Sequence, residues 1–139
     1  MIFDPLKITK LVSSCKLAMT QLERLAALNQ QQFISDPDKI ASAKYHLIVA
    51  IEAEIDICQH LIAKNNLRVP EDYGDVFRIL VEAGVFSKEL LPDLLNMTKF
   101  RNRLVHIYWD IDDQMIYEIL QQHFKDLKRF LAALSAIIA

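Results

Sequence analysis

Arg101 and His106 stand five positions apart in the stretch Arg101-Asn102-Arg103-Leu104-Val105-His106-Ile107-Tyr108. Together they carry the means to cut a phosphodiester. A neutral imidazole can take the proton of an attacking hydroxyl, while a fixed guanidinium stabilises the charge that gathers on the phosphoryl oxygens. RNA supplies that hydroxyl itself, so such a pair works without a metal. On an ideal helix the two residues differ by about 140° in direction. They share a site only if the arginine reaches round the helix or the helix loosens near His106. The spacing also has a structural explanation: Arg101 as a cation near the last carbonyls of a helix, His106 as a cap or core residue, Tyr108 and Trp109 as packing. Spacing alone leaves both open and favours the second. Lys99 and Arg103 add a small positive cluster before the histidine, fit either for a narrow RNA contact or for a solvated turn. Asp110, Asp112 and Asp113 just beyond it read as helix caps.

The elements that must position this stretch are helical. Two glycines, four prolines and 53% apolar residues in 139 leave few sharp turns and favour long helices. Asp4-Pro5 is a start signal, and Ile8, Leu11, Cys15, Ala18, Leu22 and Leu25 repeat at spacings of three and four along one helix face. Asn29 to Pro37 reads as a loop ending in a second start at Asp36-Pro37. The second helix runs to about Asn65, with Ile51, Ile55, Cys58 and Ile62 inward and Lys39, Lys44, Glu52 and Gln59 mostly outward. A short helix from about Asp75 to Ala83 ends at Gly84, and Ser87 starts a fourth. The fourth carries a broad apolar surface from Leu90 to Leu104, wide enough to suggest a dimer contact. Asp112 caps a last helix bearing Ile116, Leu120, Phe124, Leu127, Leu131 and Leu134. The prediction is an all-α, up-and-down bundle of about five helices in a single domain, residues 1–139.

Composition removes several function classes. Gly74 and Gly84 stand alone, so no glycine-rich phosphate loop can be assembled. A net charge of −2 argues against a general nucleic-acid coat, because that mode of binding needs many cationic contacts to phosphate. Cys15 and Cys58 lie in apolar helical patterns and read as buried free thiols. Glu52, Asp56 and His60 recur every four residues and make a stripe that could tempt a metal, yet the Glu-x-x-His pairs of a di-iron bundle are absent. No metal site and no cofactor are expected. No apolar run is long enough to span a bilayer, and no leader pattern opens the chain, which predicts a soluble cytoplasmic protein with no membrane partner.

The wider string sharpens the choice. Arg101-Asn102-x-Leu104-Val105-His106-x-Tyr108, with Ile111-Asp112 behind it, resembles the signature of the HepT-like HEPN family of bacterial toxin ribonucleases. Tyr45-His46-Leu47 through Ala53, Ile55-Asp56-Ile57 and His60-Leu61-Ile62 are similar to that family's long second helix. Pro70, Tyr73, Phe77, Leu80 and Gly84 resemble its middle segment, so about residues 35 to 120 are covered. The resemblance implies a homodimer whose two signature segments face each other across a cleft. It also implies a metal-independent endoribonuclease that leaves a cyclic phosphate, with RNA, tRNA among the candidates, as substrate. Carried over, Arg101 would stabilise the scissile phosphate, His106 would act as acid or base, and Asn102 would support the polar network. Asp56 matches an acidic position and would orient Arg101 or His106. Tyr108 would be the residue that a nucleotidyltransferase antitoxin of the MntA kind modifies with AMP, blocking the cleft with charge and bulk. The alternative is a catalytically silent helical module that binds a nucleotide or the nucleotidyltransferase partner.

Overall fold

A computed structural model describes residues 1–106 and 111–138. Among them are six α-helices: α1 (Pro5–Ala26), α2 (Gln30–Ile34), α3 (Pro37–Lys64), α4 (Asp75–Glu82), α5 (Leu91–His106) and α6 (Asp113–Ile138), with a 3₁₀ turn at Lys88–Leu90. The expected all-α bundle is present, and its start signals work as their chemistry demands. The Asp4 carboxylate accepts from the backbone N–H groups of Leu6 and Lys7 at 3.0 and 3.4 Å, Asp36 from Asp38 at 3.0 Å, and Asp112 from Gln114 and Met115 at 2.8 and 3.1 Å. Each satisfies N–H groups that a helix start leaves without partners.

One element departs from the sequence expectation. The polar stretch after Asn29 is a short helix, because Asn29 and Gln32 form a reciprocal capping box, with side-chain to backbone bonds of 2.8 and 3.1 Å. Such a box rewards a helical turn even where hydrophobic periodicity is too short to show one. The turn buries Phe33 completely against Tyr117, whose hydroxyl donates to the Leu28 carbonyl at 2.7 Å.

The long helices alternate in direction. The start of α1 lies beside the end of α3, where His60 Nε2 accepts the Asp4 N–H at 2.9 Å and Asn65 pairs reciprocally with the backbone of Ile2. The start of α6 lies beside the end of α1, through Tyr117 and a Gln121 bond to the Ala26 carbonyl. Arg129 of α6 reaches back to Asp93 at the start of α5, at 2.7 Å. One apolar cluster runs through all six helices, with Phe77, Phe86 and Phe130 joining α4 to α6. The apolar surface of α5 is absorbed by this core: Leu90, Leu94, Met97, Phe100 and Leu104 are buried within the single chain, so it does not by itself call for a dimer. Among the described residues no helix is long and apolar enough to cross a membrane.

The segment between α3 and α4 is irregular but tightly held. Asn66 adopts a left-handed conformation (φ 53°) past the end of α3, and Gly84 does so (φ 75°) past the end of α4. Both allow the chain to fold back on the last turn of its helix. Arg68 grips Asp75 with two bonds of 2.6 and 3.0 Å and Glu82 with two of 3.0 Å. That fork, with a backbone N–H from Glu71, holds the Asp75 carboxyl at about 2. The loop is thereby clamped to α4.

Deep in the core, Glu54 is fully buried, and its Oε1 has no hydrogen-bond partner among the described residues. Its Oε2 accepts from the Cys15 thiol at 3.7 Å. Burial, with some help from the nearby Asp126 carboxylate, raises the Glu54 carboxyl well above the ordinary glutamate range, so the folded chain holds it as the neutral acid. The unfolded chain releases that proton near the ordinary value, so stability is fullest below that range and declines as pH rises above it, by up to about 1.4 kcal/mol per pH unit. We predict that Glu54→Gln, neutral at every pH, shows a flatter decline in urea-denaturation free energy between pH 5 and pH 8 than the wild type. Parallel declines would show that Glu54 keeps its charge in the fold.

Candidate active site

On α5 the inward positions Leu94, Met97, Thr98, Arg101 and Leu104 follow one another at helical spacing, and all are buried. Arg101 therefore occupies a core register and is only 9% exposed. A guanidinium so placed must find partners, since burying an unpaired charge is costly. It finds them on three elements. Nε and Nη2 donate to one carboxylate oxygen of Glu52 on α3, at 3.2 and 2.5 Å. Nη1 donates to the Asn102 side-chain oxygen at 2.9 Å. The Tyr73 ring, from the clamped loop, lies 4.8 Å from the guanidinium carbon, within cation–π range. Gly74 lets that loop come close: a Cβ there would stand 3.2 Å from Leu95 of α5.

Among the described residues, these bonds engage three of the five N–H groups of Arg101. Two remain for an anion entering the small cleft bounded by Glu52, Ile55, Asp56, Tyr73 and Arg101. Asp56 lines that cleft, but the hydrogen bonds to Arg101 come from Glu52, one turn earlier on α3. Partial burial and the neighbouring Glu52 push the Asp56 carboxyl up, against the opposing pull of Lys7 and Arg101.

Helix α5 continues through His106, which is exposed, so the pair stand on different sides of one helix. Asn102 lies between them in direction around the helix. At 100° per residue, Lys99, Asn102, Arg103 and His106 fall within one arc of about 100°, with Asn102 one turn before His106 and bonded to Arg101. Lys99 is exposed, whereas Arg103 is half-buried and turned towards the Met115 sulfur at 3.6 Å. The proposed modification residue Tyr108, with Trp109 and Asp110, lies outside the described residues.

Sequence reasoning missed Glu52 and Tyr73. Glu52 had a visible signal, since it shares a stripe of α3 with Asp56, and Arg101 betrays its need for a partner by its core register. Tyr73 had only its place in the middle segment. The stripe Glu52, Asp56 and His60 does not converge: Glu52 serves Arg101 and His60 serves the start of α1. No group of three or more His, Cys, Asp or Glu among the described residues could hold a metal. His46 and His123 have helix-local partners, the Ser42 carbonyl at 2.8 Å and Asp126 at 3.4 Å.

Residues 16–134 match the family of ribonuclease HepT-like proteins. The chain belongs to that family. The mRNA nuclease HepT of Shewanella oneidensis is 28% identical over 85 residues, which make up 61% of this chain and 64% of that relative. The aligned part thus spans a little under two thirds of the nuclease. A protein of Archaeoglobus fulgidus is 27% identical over 105 residues, 76% of this chain and 79% of its own length. The fold is that of the tri-AMPylated Shewanella oneidensis HEPN toxin in complex with its MNT antitoxin, with a TM-score of 0.84 at 24% identity over 94% of this HepT-like chain and 97% of the toxin.

The geometry makes Glu52, rather than Asp56, the partner that fixes Arg101. A double-mutant cycle of Glu52→Ala with Arg101→Ala, read by urea denaturation, should give a coupling of roughly 1 kcal/mol. The same cycle with Asp56→Asn should give less than half of that. Equal couplings would mean that the two acids share the guanidinium.

Proposed function

We propose that this protein is an endoribonuclease toxin that acts as a homodimer and is silenced by a nucleotidyltransferase antitoxin. The observation that carries this reading is the fixed guanidinium of Arg101, joined through Asn102 to the face of α5 that presents His106. It is supported by family membership and by the activity named for the Shewanella relative. The AMPylated toxin–antitoxin complex that shares the fold supports the partner.

In the reaction, a neutral His106 takes the proton of the ribose 2′-hydroxyl, and the 2′-oxygen attacks the adjacent phosphorus. The bond to the 5′-oxygen breaks, and that oxygen leaves with a proton. The products are a 2′,3′-cyclic phosphate and a 5′-hydroxyl. Two facing copies of His106 in a dimer supply both the base and the acid. Arg101 holds the phosphoryl oxygens as charge builds on them, and because Glu52, Asn102 and Tyr73 already fix it, little reorganisation accompanies the step. The nucleophile belongs to the substrate, and the two side chains provide proton transfer and charge stabilisation, so the mechanism requires no metal. AMP added to Tyr108, two residues beyond His106, places negative charge and bulk where RNA must lie.

One observation favours a rival. Glu52 and Asp56 flank Arg101, and the whole chain carries a net charge of −2, which is unusual for an RNA binder; the rival is a silent module that binds a nucleotide or the antitoxin. Incubation with tRNA and with total RNA, with and without EDTA, separates the two: EDTA-resistant cutting is expected, and intact RNA would favour the silent module. Arg101→Ala and His106→Ala should each lower cleavage by about 10²–10⁴-fold and leave the dimer intact by light scattering. Persistent cleavage by purified His106→Ala would overturn the mechanism. Tyr108→Phe should still cut RNA yet resist silencing when the nucleotidyltransferase and ATP are added.

A further inference from the structure

A cavity of about 600 Å³ lies beside the Arg101 cleft. Tyr73 borders both spaces. The walls of the larger one are apolar, with Ile62 and Leu67 from the end of α3 and the following turn, and Pro70 from the clamped loop. Its polar lining residues are the amides Gln59 and Asn102 and the acids Glu71 and Asp72. Two rim residues, Val69 and Tyr73, are 83% and 47% exposed despite their apolar character.

We infer that this cavity receives an unstacked nucleobase of the RNA substrate, from a nucleotide flanking the phosphate held at Arg101. The inference rests on the ribonuclease reading and names the part of the substrate that this face reads. A base has two apolar faces and a polar edge, and the cavity offers apolar walls, an aromatic ring for stacking, and amide and carboxylate groups for the edge. Its volume falls within the range of small-ligand clefts. Its position is as telling as its chemistry, because Asn102 lines the cavity and also accepts a bond from Arg101, while Tyr73 packs over the same guanidinium. A phosphate at Arg101 therefore has a neighbouring base directly beside the opening. Base-on-aromatic stacking tolerates any sequence, whereas the edge groups impose a preference. Asp72, whose Oδ1 already accepts the Asp75 N–H at 2.8 Å, and Glu71 bring carboxylate acceptors to the lining, so the preferred base carries an exocyclic amino group.

The test uses the full-length protein and short single-stranded RNAs. In the first arm, His106→Ala protein, which binds without cutting, is titrated into RNA with 2-aminopurine at the nucleotide flanking the expected cut. Stacking in the cavity should quench its fluorescence, and Leu67→Trp, which fills the cavity and leaves Arg101 and Asn102 in place, should abolish the quenching in the same background. In the second arm, cleavage of a normal RNA is compared with that of one lacking the flanking base. The wild type should prefer the normal RNA by at least tenfold, and in Leu67→Trp the ratio should fall to about one. Circular dichroism establishes that the variant is folded, and Leu67→Phe provides a milder filling if it is not. Quenching without any cleavage would keep the base site and remove the ribonuclease reading. Cleavage with no quenching and no preference would remove the base site and keep the enzyme. Loss of quenching caused by dimer formation over the cavity, visible as a concentration dependence, would also overturn the proposal.

Discussion

A cation that cannot lose its charge sits at a core position of α5, and the arrangement around it follows from that burial. Arg101 takes the place where helical spacing calls for a leucine, so its guanidinium needs acceptors from within the molecule. Glu52 supplies two bonds from α3, Asn102 supplies one from the next position on α5, and the Tyr73 ring covers part of the group. These partners come from three separate stretches of chain. Their convergence depends on the antiparallel packing of α3 and α5 and on a loop that has no regular structure of its own. The Arg68 fork on Asp75 and Glu82 therefore matters to the site as well as to stability. It sets where Tyr73 lies.

Helix α3 carries acids on opposite faces, and the contrast shows how environment assigns roles. Glu52 and Asp56 are one turn apart and look towards α5, while Glu54, about 200° away from Glu52 on the helix, points into the core between α1 and α6. There it meets the Cys15 thiol and the field of Asp126, and burial keeps it protonated. The first face holds a cation in place. The second holds a neutral acid, beside a pair in which His123 and Asp126 satisfy each other.

The fold was largely legible because its signals are local. Asp4-Pro5, Asp36-Pro37 and Asp112 start helices by hydrogen bonds within three residues, and seams such as Ile8 to Leu25 need only helical spacing to be seen. The exception, α2, is equally local but hides its signal in the amides of Asn29 and Gln32, which in a polar run are easily taken for solvent-facing loop. The site was legible only in part. Arg101, Asn102 and His106 stand together in sequence, but Glu52 lies 49 residues from Arg101, and Tyr73 reaches it through a loop whose course is set by Arg68, Gly74 and a left-handed Asn66. Nothing in a linear pattern fixes that course. The apolar width of α5 does not decide between partners for a related reason: whether a broad stripe meets one partner or several depends on how many helices surround it, and here the core of the single chain covers most of it.

The internal pairing of Arg101 bears on how such a protein could handle RNA at all. With Glu52 and Asp56 beside it, the guanidinium presents little long-range positive field, and the chain as a whole is mildly acidic. Attraction of the phosphate backbone, which dominates binding by basic proteins, is therefore weak. What remains for recognition is short-range: the N–H groups of Arg101 left without a bond among the described residues at a narrow cleft, the Lys99 and His106 side of α5, and an apolar cavity next to them. Groups of that kind discriminate by shape and stacking, and they favour nucleotides already unstacked in loops, bulges or ends over paired helices. A growth-inhibiting nuclease with that profile would ignore most of the RNA it meets. On the proposed reading, an inhibitor of such a nuclease would not have to cover a large basic surface.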